Sequence, residues 1–394
     1  MLWLNFLHFY QPANTEFYNI RKALDKSYWR LLRLMEEHSE LRATWNVSGC
    51  LLERLAEAKE TAFLERLKFL VKKGSVELTG SAAYHGFLPL LPADEVIRQI
   101  RTNEKILRLF FGRNFKPEGF FLPEMAYSPT VAKIIKQLGY SWIILDEIAY
   151  SGGSNKNSEE GRVYFDEASG LKIVFRNREL SSAYPPDKLK PLFKAATIAN
   201  QTLITATDAE LYGLRHEDPT AELEKIVKLK GLKTMALSRF IKSVGKSKLV
   251  KIKLWSSSWE STPQEVKNNK PYRLWLDRNN KIQVDLWKLA NFSLGLGAKF
   301  KNDKNYYWHR WHLVRGLASC TFWWASARDF SKLYGPFAWS PDDIERGLED
   351  LIRSVRSFNN PQAKKSKLVA EKYYLKIKRM IWEQHWKKYW QKTI

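Results

Sequence analysis

The chain has 394 residues, 44% hydrophobic and 27% charged, with 65 Lys and Arg against 42 Asp and Glu for a net charge of +23. That length suits two domains or one large α/β barrel with an appendage, and the apolar share excludes a disordered chain. The absence of a strict short period excludes a collagen-like or coiled-coil fibre.

Aromatic residues reach 14%. They suit a large aromatic core, a cleft that stacks flat ligands such as sugar rings or bases, or both. The positive charge suits a polyanionic partner or simple solubility. Cys50 and Cys320 stand too far apart for a CxxC metal site or a disulfide framework, which points to reduced thiols in the cytoplasm. The apolar start MLWLNFLHFYQP lacks a basic n-region and reads as a buried strand rather than a signal peptide. No run of 18 apolar residues predicts a membrane-spanning helix.

In chain order, Leu2–His8 is a continuous apolar run and predicts a buried strand. Tyr28–Glu37 reads as a helix, Ala43–Val47 as a second strand, and Leu51–Lys73 as a helix stopped by Gly74. Ser75–Thr79 is a third strand, and Ala93–Phe111 a helix beginning after Pro92. Gly119–Leu122 is a fourth strand, followed by a helix over Pro129–Leu138 closed by Gly139. Ser141–Leu145, Lys172–Arg176 and Leu203–Ala206 complete seven strands. The stretch SGGSNKNSEE at Ser151–Glu160 predicts a mobile polar loop. Lys225–Lys253 holds ten basic residues and no acid; a helix opens it and a strand over Val250–Trp255 ends it. Beyond about Val284 the pattern is helical: Trp287–Leu294, His309–Ala327, Pro341–Phe358 and Lys364–Lys392, the last reading as a docked helix with a solvated basic face.

Strands alternating with helices imply βαβ units and a parallel sheet, and about seven units favour a barrel. Chemistry in such folds sits at the C-terminal ends of strands. His8, Asn46, the Gly80–His85 turn, Glu124, Asp146, Arg176 and Asp208 all fall just past predicted strand ends. Glu124 (in GFFLPEMAY) and Asp208 (in ITATDAELYG) are two carboxylates that such a barrel would turn towards one another. A carboxylate pair is the minimum for glycosidic cleavage: one attacks or activates water, the other protonates the departing oxygen. By themselves, strand-end acids equally well cap helices or pair with arginines.

Five segments in order then resemble glycoside hydrolase family 57, the group of amylopullulanases, 4-α-glucanotransferases and α-glucan branching enzymes. They are His8–Pro12 (HFYQP), Gly80–Leu91 (GSAAYHGFLPLL), Gly119–Tyr127, Thr207–Gly213 (TDAELYG) and Ser256–Glu260 (SSSWE). TFWWASA at Thr321–Ala327 resembles an aromatic segment of the family's helical region. The resemblance implies an α/β fold, an incomplete (β/α)7 barrel followed by a C-terminal helical domain, divided here as residues 1–283 and 284–394. It implies retaining double displacement on α-glucans or malto-oligosaccharides, with Glu124 as nucleophile and Asp208 as acid/base, and no metal or organic cofactor. Tyr10 stands where the commoner first motif has His, and Leu214 and Arg215 stand where some members carry His and Trp.

Candidate substrate contacts are His8, Tyr10, Gln11, Trp45, Asn46, His85, Asp146, Arg176, Glu210, Trp259 and Trp323. Trp255 and Trp324 are further stacking candidates, and Asp146 and Arg176 equally suit a structural pair. His8, His85 and His216 lack the HxxxH or HExxH spacing of a zinc site. The rival reading is a non-catalytic polysaccharide- or nucleic-acid-binding protein on the same scaffold, its basic surface meeting a polyanion. The enzyme reading is preferred because both carboxylates stand in matched contexts.

Overall fold

The computed structural model describes residues 1–152, 158–159, 161–194, 201–245, 249–326 and 339–391. The predicted mobile loop at Ser151–Glu160 lies largely outside the described residues, as do Ala327 of the aromatic segment and Lys392. Two compact units form: Met1–Ala83 with Leu88–Pro271, and Tyr84–Phe87 with Tyr272–Ile394.

The first unit is α/β. Its strands are β1 (Leu2–Phe9), β2 (Ala43–Val47), β3 (Val76–Leu78), β4 (Gly119–Phe120), β5 (Trp142–Asp146), β6 (Tyr164–Asp166), β7 (Lys172–Arg176), β8 (Thr202–Asp208), β9 (Lys233–Thr234) and β10 (Val250–Ile252). One sheet runs β3-β2-β1-β8 with β9 also on β1; the other runs β10-β6-β7-β5-β4. Every pairing is parallel except β6 with β7. Two narrow seams join the sheets. Gly80 beyond β3 bridges Phe120 of β4, with Gly80 N–H donating to Gly119 O at 2.9 Å. Asn177 N–H, just past β7, donates to Ile204 O of β8 at 2.8 Å. The parallel strands β1, β2, β3, β4, β5, β7 and β8 thus follow one another around a seven-membered ring, thinly stitched at the seams.

Side chains alternate across each strand, so every second residue faces the interior of the ring. Leu4 and Phe6 of β1, Trp142 and Ile144 of β5, Val174 of β7, and Ile204 and Ala206 of β8 meet there in one buried cluster with Phe121 and Met125. Continuing that alternation to the C-terminal ends brings His8, Asp146, Arg176 and Asp208 to the next inward positions. The polar site is therefore the top layer of the same stack whose lower layers are the apolar core.

The predicted helices between strands are present with one break, and Phe17–Ala23 and Pro185–Lys194 are helices that were not foreseen. The stretch expected as a helix from Leu51 to Lys73 is two helices, Gly49–Glu57 and Thr61–Lys73, separated where Lys59 takes a left-handed φ of 59°. Gly74 closes the second at φ 76°, a conformation that a Cβ disfavours. Strands β6 and β9, of three and two residues, were not foreseen, and the predicted Val250–Trp255 strand ends at Ile252.

The second unit is helical: Lys281–Lys299, Tyr306–Gly316, Ser319–Trp323, Pro341–Arg356 and Lys364–Gln391. Ile344, Leu348, Leu351, Ile352 and Val355 recur at helical spacing and are all buried. Between its helices, Ser293 and Ser354 share a 2.5 Å hydroxyl contact and Asp285 pairs with Lys376 at 2.6 Å. No helix among the described residues is long and apolar enough to cross a membrane.

Candidate active site

Glu124 owes its direction to an unusual backbone. The chain leaves β4 through Pro123 into a tight turn in which Glu124 and Met125 both take left-handed φ values, 60° and 47°. Such conformations cost on the order of 1–3 kcal/mol for residues with a Cβ and persist where the surroundings hold them. Trp259 does the holding at two points. Its backbone N–H donates to Glu124 O at 3.1 Å, and its indole Nε1–H donates to Glu124 Oε2 at 3.0 Å. An N–H aimed at a carboxylate oxygen favours the ionised form and fixes its orientation.

The indole of Trp259 in turn sits in an aromatic and cationic frame. The Phe121 ring lies 6.0 Å away and the His8 ring 6.4 Å, both edge-on, and the Arg176 guanidinium lies 5.1 Å over the indole. Arg176 is anchored by Asp146 at 2.6 Å and by Ala206 O at 3.0 Å, and Arg178 takes the other Asp146 oxygen at 2.7 Å. Asp146 and Arg176 therefore do pair, and the pair also steers a cation onto the indole that holds Glu124.

Asp208 ends β8, and its Cα registers with that of His8 on β1. One Asp208 oxygen accepts from Arg215 Nη1 at 2.7 Å. His8 is buried, and its Nδ1 lies 2.9 Å from Asn46 Oδ1. Asn46 Nδ2 points on to Thr79 at 3.2 Å, which leaves Oδ1 as the acceptor and places the imidazole proton on Nδ1. Burial lowers the His8 pKa to about 4, opposed by the Asp208 charge, so the ring is neutral at pH 7 with its lone pair on Nε2. The Tyr10 ring stacks on His8 at 5.7 Å.

Glu210, two residues beyond Asp208, is buried and accepts from Gln11 Nε2 at 2.9 Å and from the Tyr28 hydroxyl. Burial raises its pKa to about 7, with the Arg215 charge pulling down and Asp208 pushing up. Burial and the neighbouring Glu210 charge raise the Tyr28 phenol.

The fold thus gathers Glu124, Asp208, His8, Tyr10, Gln11, Asn46, Asp146, Arg176, Glu210 and Trp259 at the strand ends of the first unit. Of the other named candidates, one packs into the core of the first unit and two belong to the second unit. Trp45 is 1% exposed and packs on Phe9 at 4.7 Å, so it serves the core. His85 belongs to the second unit, where its Nδ1 lies 2.8 Å from Ser319 Oγ. Trp323 also lies in the second unit, edge-on to Trp324 at 4.6 Å. Tyr28, Phe121 and Arg178 went unforeseen. Phe121 alone carried a signal, as an aromatic of the predicted fourth strand, one residue past the observed end of β4. Among the described residues, no group of three or more His, Cys, Asp or Glu side chains is placed to hold a metal ion.

Comparison with known proteins matches residues 4–253 to the family model described as glycosyl hydrolase family 57. An α-amylase of Pyrococcus horikoshii is 28% identical over 174 residues, which cover 43% of this chain and 27% of that one. A 4-α-glucanotransferase of Thermococcus litoralis is 23% identical over 54% of this chain and 31% of its own. The matches span a third or less of these curated relatives. A solved family 57 branching enzyme from Thermococcus kodakaraensis aligns over 95% of both chains with a TM-score of 0.69 at 16% identity, a likeness of fold.

Proposed function

This chain belongs to glycosyl hydrolase family 57, and we propose that it is a retaining glycosidase or glucanotransferase acting on α-linked glucans. The observation that carries the proposal is the pair of strand-end carboxylates, Glu124 held by Trp259 and Asp208 in register with His8, around one aromatic floor. Relatives named as amylases and as a glucanotransferase supply the substrate class.

Glu124, aimed by the indole N–H, attacks the anomeric carbon. The glycosidic oxygen departs with the proton of Asp208, leaving a glycosyl ester on Glu124. Asp208 then takes a proton from water or a sugar hydroxyl, which displaces Glu124 and restores both groups. His8 Nε2, Tyr10 and Gln11 are the hydrogen-bonding groups for the sugar beside the bond, and Arg176 holds the floor. Arg215 must slacken its grip on Asp208 for the carboxyl to carry a proton. Two cysteines far apart in sequence suit a reducing compartment, so the cytoplasm is the proposed location.

The test is incubation with maltoheptaose and separation of products by chain length. Shorter products alone mean hydrolysis; shorter and longer products together mean transfer. Glu124→Gln and Asp208→Asn should each abolish either pattern. An intact wild type that turns over neither this nor other α-glucosides would overturn the proposal.

A further inference from the structure

A second site lies on the same segment that delivers Trp259. Four residues earlier, Trp255 is 54% exposed and walls a cavity of about 590 Å³ with Tyr150, Lys251, Lys253, Lys267 and Glu167. The volume falls in the range of small-ligand sites and admits one or two sugar rings.

The stacking face is preformed. Trp255 N–H donates to Ala149 O at 2.8 Å, and the indole lies directly against the α-carbon of Gly152. A Cβ at Gly152 would stand 2.3 Å from the indole Nε1, and its φ of 57° is a second reason for glycine there. The ring is thus fixed on one side by backbone while it lines the cavity. Exposed tryptophan held in this way is a platform for a pyranose ring.

The charge is lopsided. Lys251, Lys253 and Lys267 are exposed, and none makes an ion pair among the described residues; the one carboxylate on the wall, Glu167, makes none either. Three uncommitted ammonium groups around one aromatic face suit a ligand that brings its own negative charge, whereas a neutral sugar gains little from them.

We propose that this cavity binds an anionic sugar, its ring on Trp255 and its phosphate or carboxylate among Lys251, Lys253 and Lys267. The binding goes beyond the cleavage reading and does not require it. The Cα atoms of Trp255 and Trp259 are at most about 14 Å apart along an extended chain.

The probes are glucose 6-phosphate, glucuronate, glucose and inorganic phosphate, none of which has a glycosidic bond to cleave, titrated into the wild-type protein by calorimetry. Glucose 6-phosphate, glucuronate or both should bind at least ten-fold more tightly than glucose and than phosphate, and more weakly as salt rises. The phosphate and carboxylate arms identify which anion the site takes. Trp255→Ala should remove the binding and Trp255→Tyr should retain most of it. Joint Lys251→Ala, Lys253→Ala and Lys267→Ala substitution should reduce the anionic sugars to the level of glucose. Equal affinity for glucose and its phosphate overturns the proposal, as does equal affinity for glucose 6-phosphate and bare phosphate. Binding that survives both the Trp255→Ala and the lysine substitutions also overturns it.

Discussion

The two carboxylates at the barrel mouth are held by different kinds of partner. At Glu124 the Trp259 indole, a neutral donor, holds one carboxylate oxygen, and the backbone turn is left-handed. Around Asp208 stand Arg215, Glu210 and His8, charged or titratable and coupled to it electrostatically. The difference matches the proposed division of labour. A nucleophile must stay ionised and in place, and fixed neutral donors supply that. A group that alternately gives and takes a proton has to sit in a field that responds to charge.

The largest effect should come from separating the roles through the leaving group. An aryl α-glucoside with a good leaving group needs no proton from Asp208 to depart. Asp208→Asn should therefore lose about 10²–10⁴-fold on a malto-oligosaccharide yet retain most of the first-step rate on the aryl substrate. Glu124→Gln should lose on the order of 10⁴-fold or more on both. Pre-steady-state release of the aryl alcohol measures the first step directly. Equal losses for Asp208→Asn on the two substrates would remove the assignment of proton donor.

The titratable side can be broken open with pH. The folded chain binds the Glu210 proton more tightly than the unfolded one, because burial lifts the pKa from 4.5 to about 7. Glu210 therefore makes stability fall as pH rises from about 4.5 to 7. His8 acts in the other direction. Its pKa drops from 6.5 to about 4, so the unfolded chain binds the extra proton and stability rises with pH between about 4 and 6.5. At about 1.4 kcal/mol per pKa unit, each contribution is roughly 3 kcal/mol, and in the wild type they largely offset. Glu210→Gln should expose the His8 rise and His8→Gln the Glu210 fall. Urea unfolding at pH 5 and pH 7.5 measures both, and identical pH slopes in wild type and variants would refute the pairing.

Much of this site was legible because barrel strands obey a two-residue alternation. His8, Asn46, Asp146, Arg176 and Asp208 could be placed at strand ends from apolar runs alone, and the inward positions follow from the period. What escaped the sequence depends on distance or on backbone. Tyr28 reaches Glu210 across 182 positions, and nothing in its helix distinguishes it from a core tyrosine. Glu124 carries a left-handed backbone without being glycine, which no local pattern announces. Trp45 looked like a stacking residue because it sits in a strand beside Asn46, yet alternation turns it the other way, onto Phe9. His85, quoted within a motif, folds with the second unit because Gly86 bridges Ala318 and Phe87 stacks on Trp275 at 4.4 Å. The break at Lys59 and the two- and three-residue strands fall below the length at which periodicity can be read.

The smallest effect, and the one that isolates the Glu124 side, is Trp259→Phe. The phenyl ring keeps an aromatic face towards His8 and Phe121, and the backbone N–H still reaches Glu124 O, so the turn remains anchored. The indole donor to Glu124 Oε2 is lost, and the ring under the Arg176 guanidinium becomes smaller. A hydrogen bond to a charged group contributes about 1.5–3 kcal/mol, so kcat/KM should fall by about 10–100-fold. The loss should also appear on the aryl substrate, where Asp208 is dispensable, because it concerns the nucleophile. Stability at pH 5 and 7.5 should keep the wild-type pH slope, since no titratable group has been removed. A variant that lost activity only on poor leaving groups, or that acquired a new pH dependence, would show that Trp259 acts through the Asp208 side instead, and the contrast between the two carboxylates would collapse.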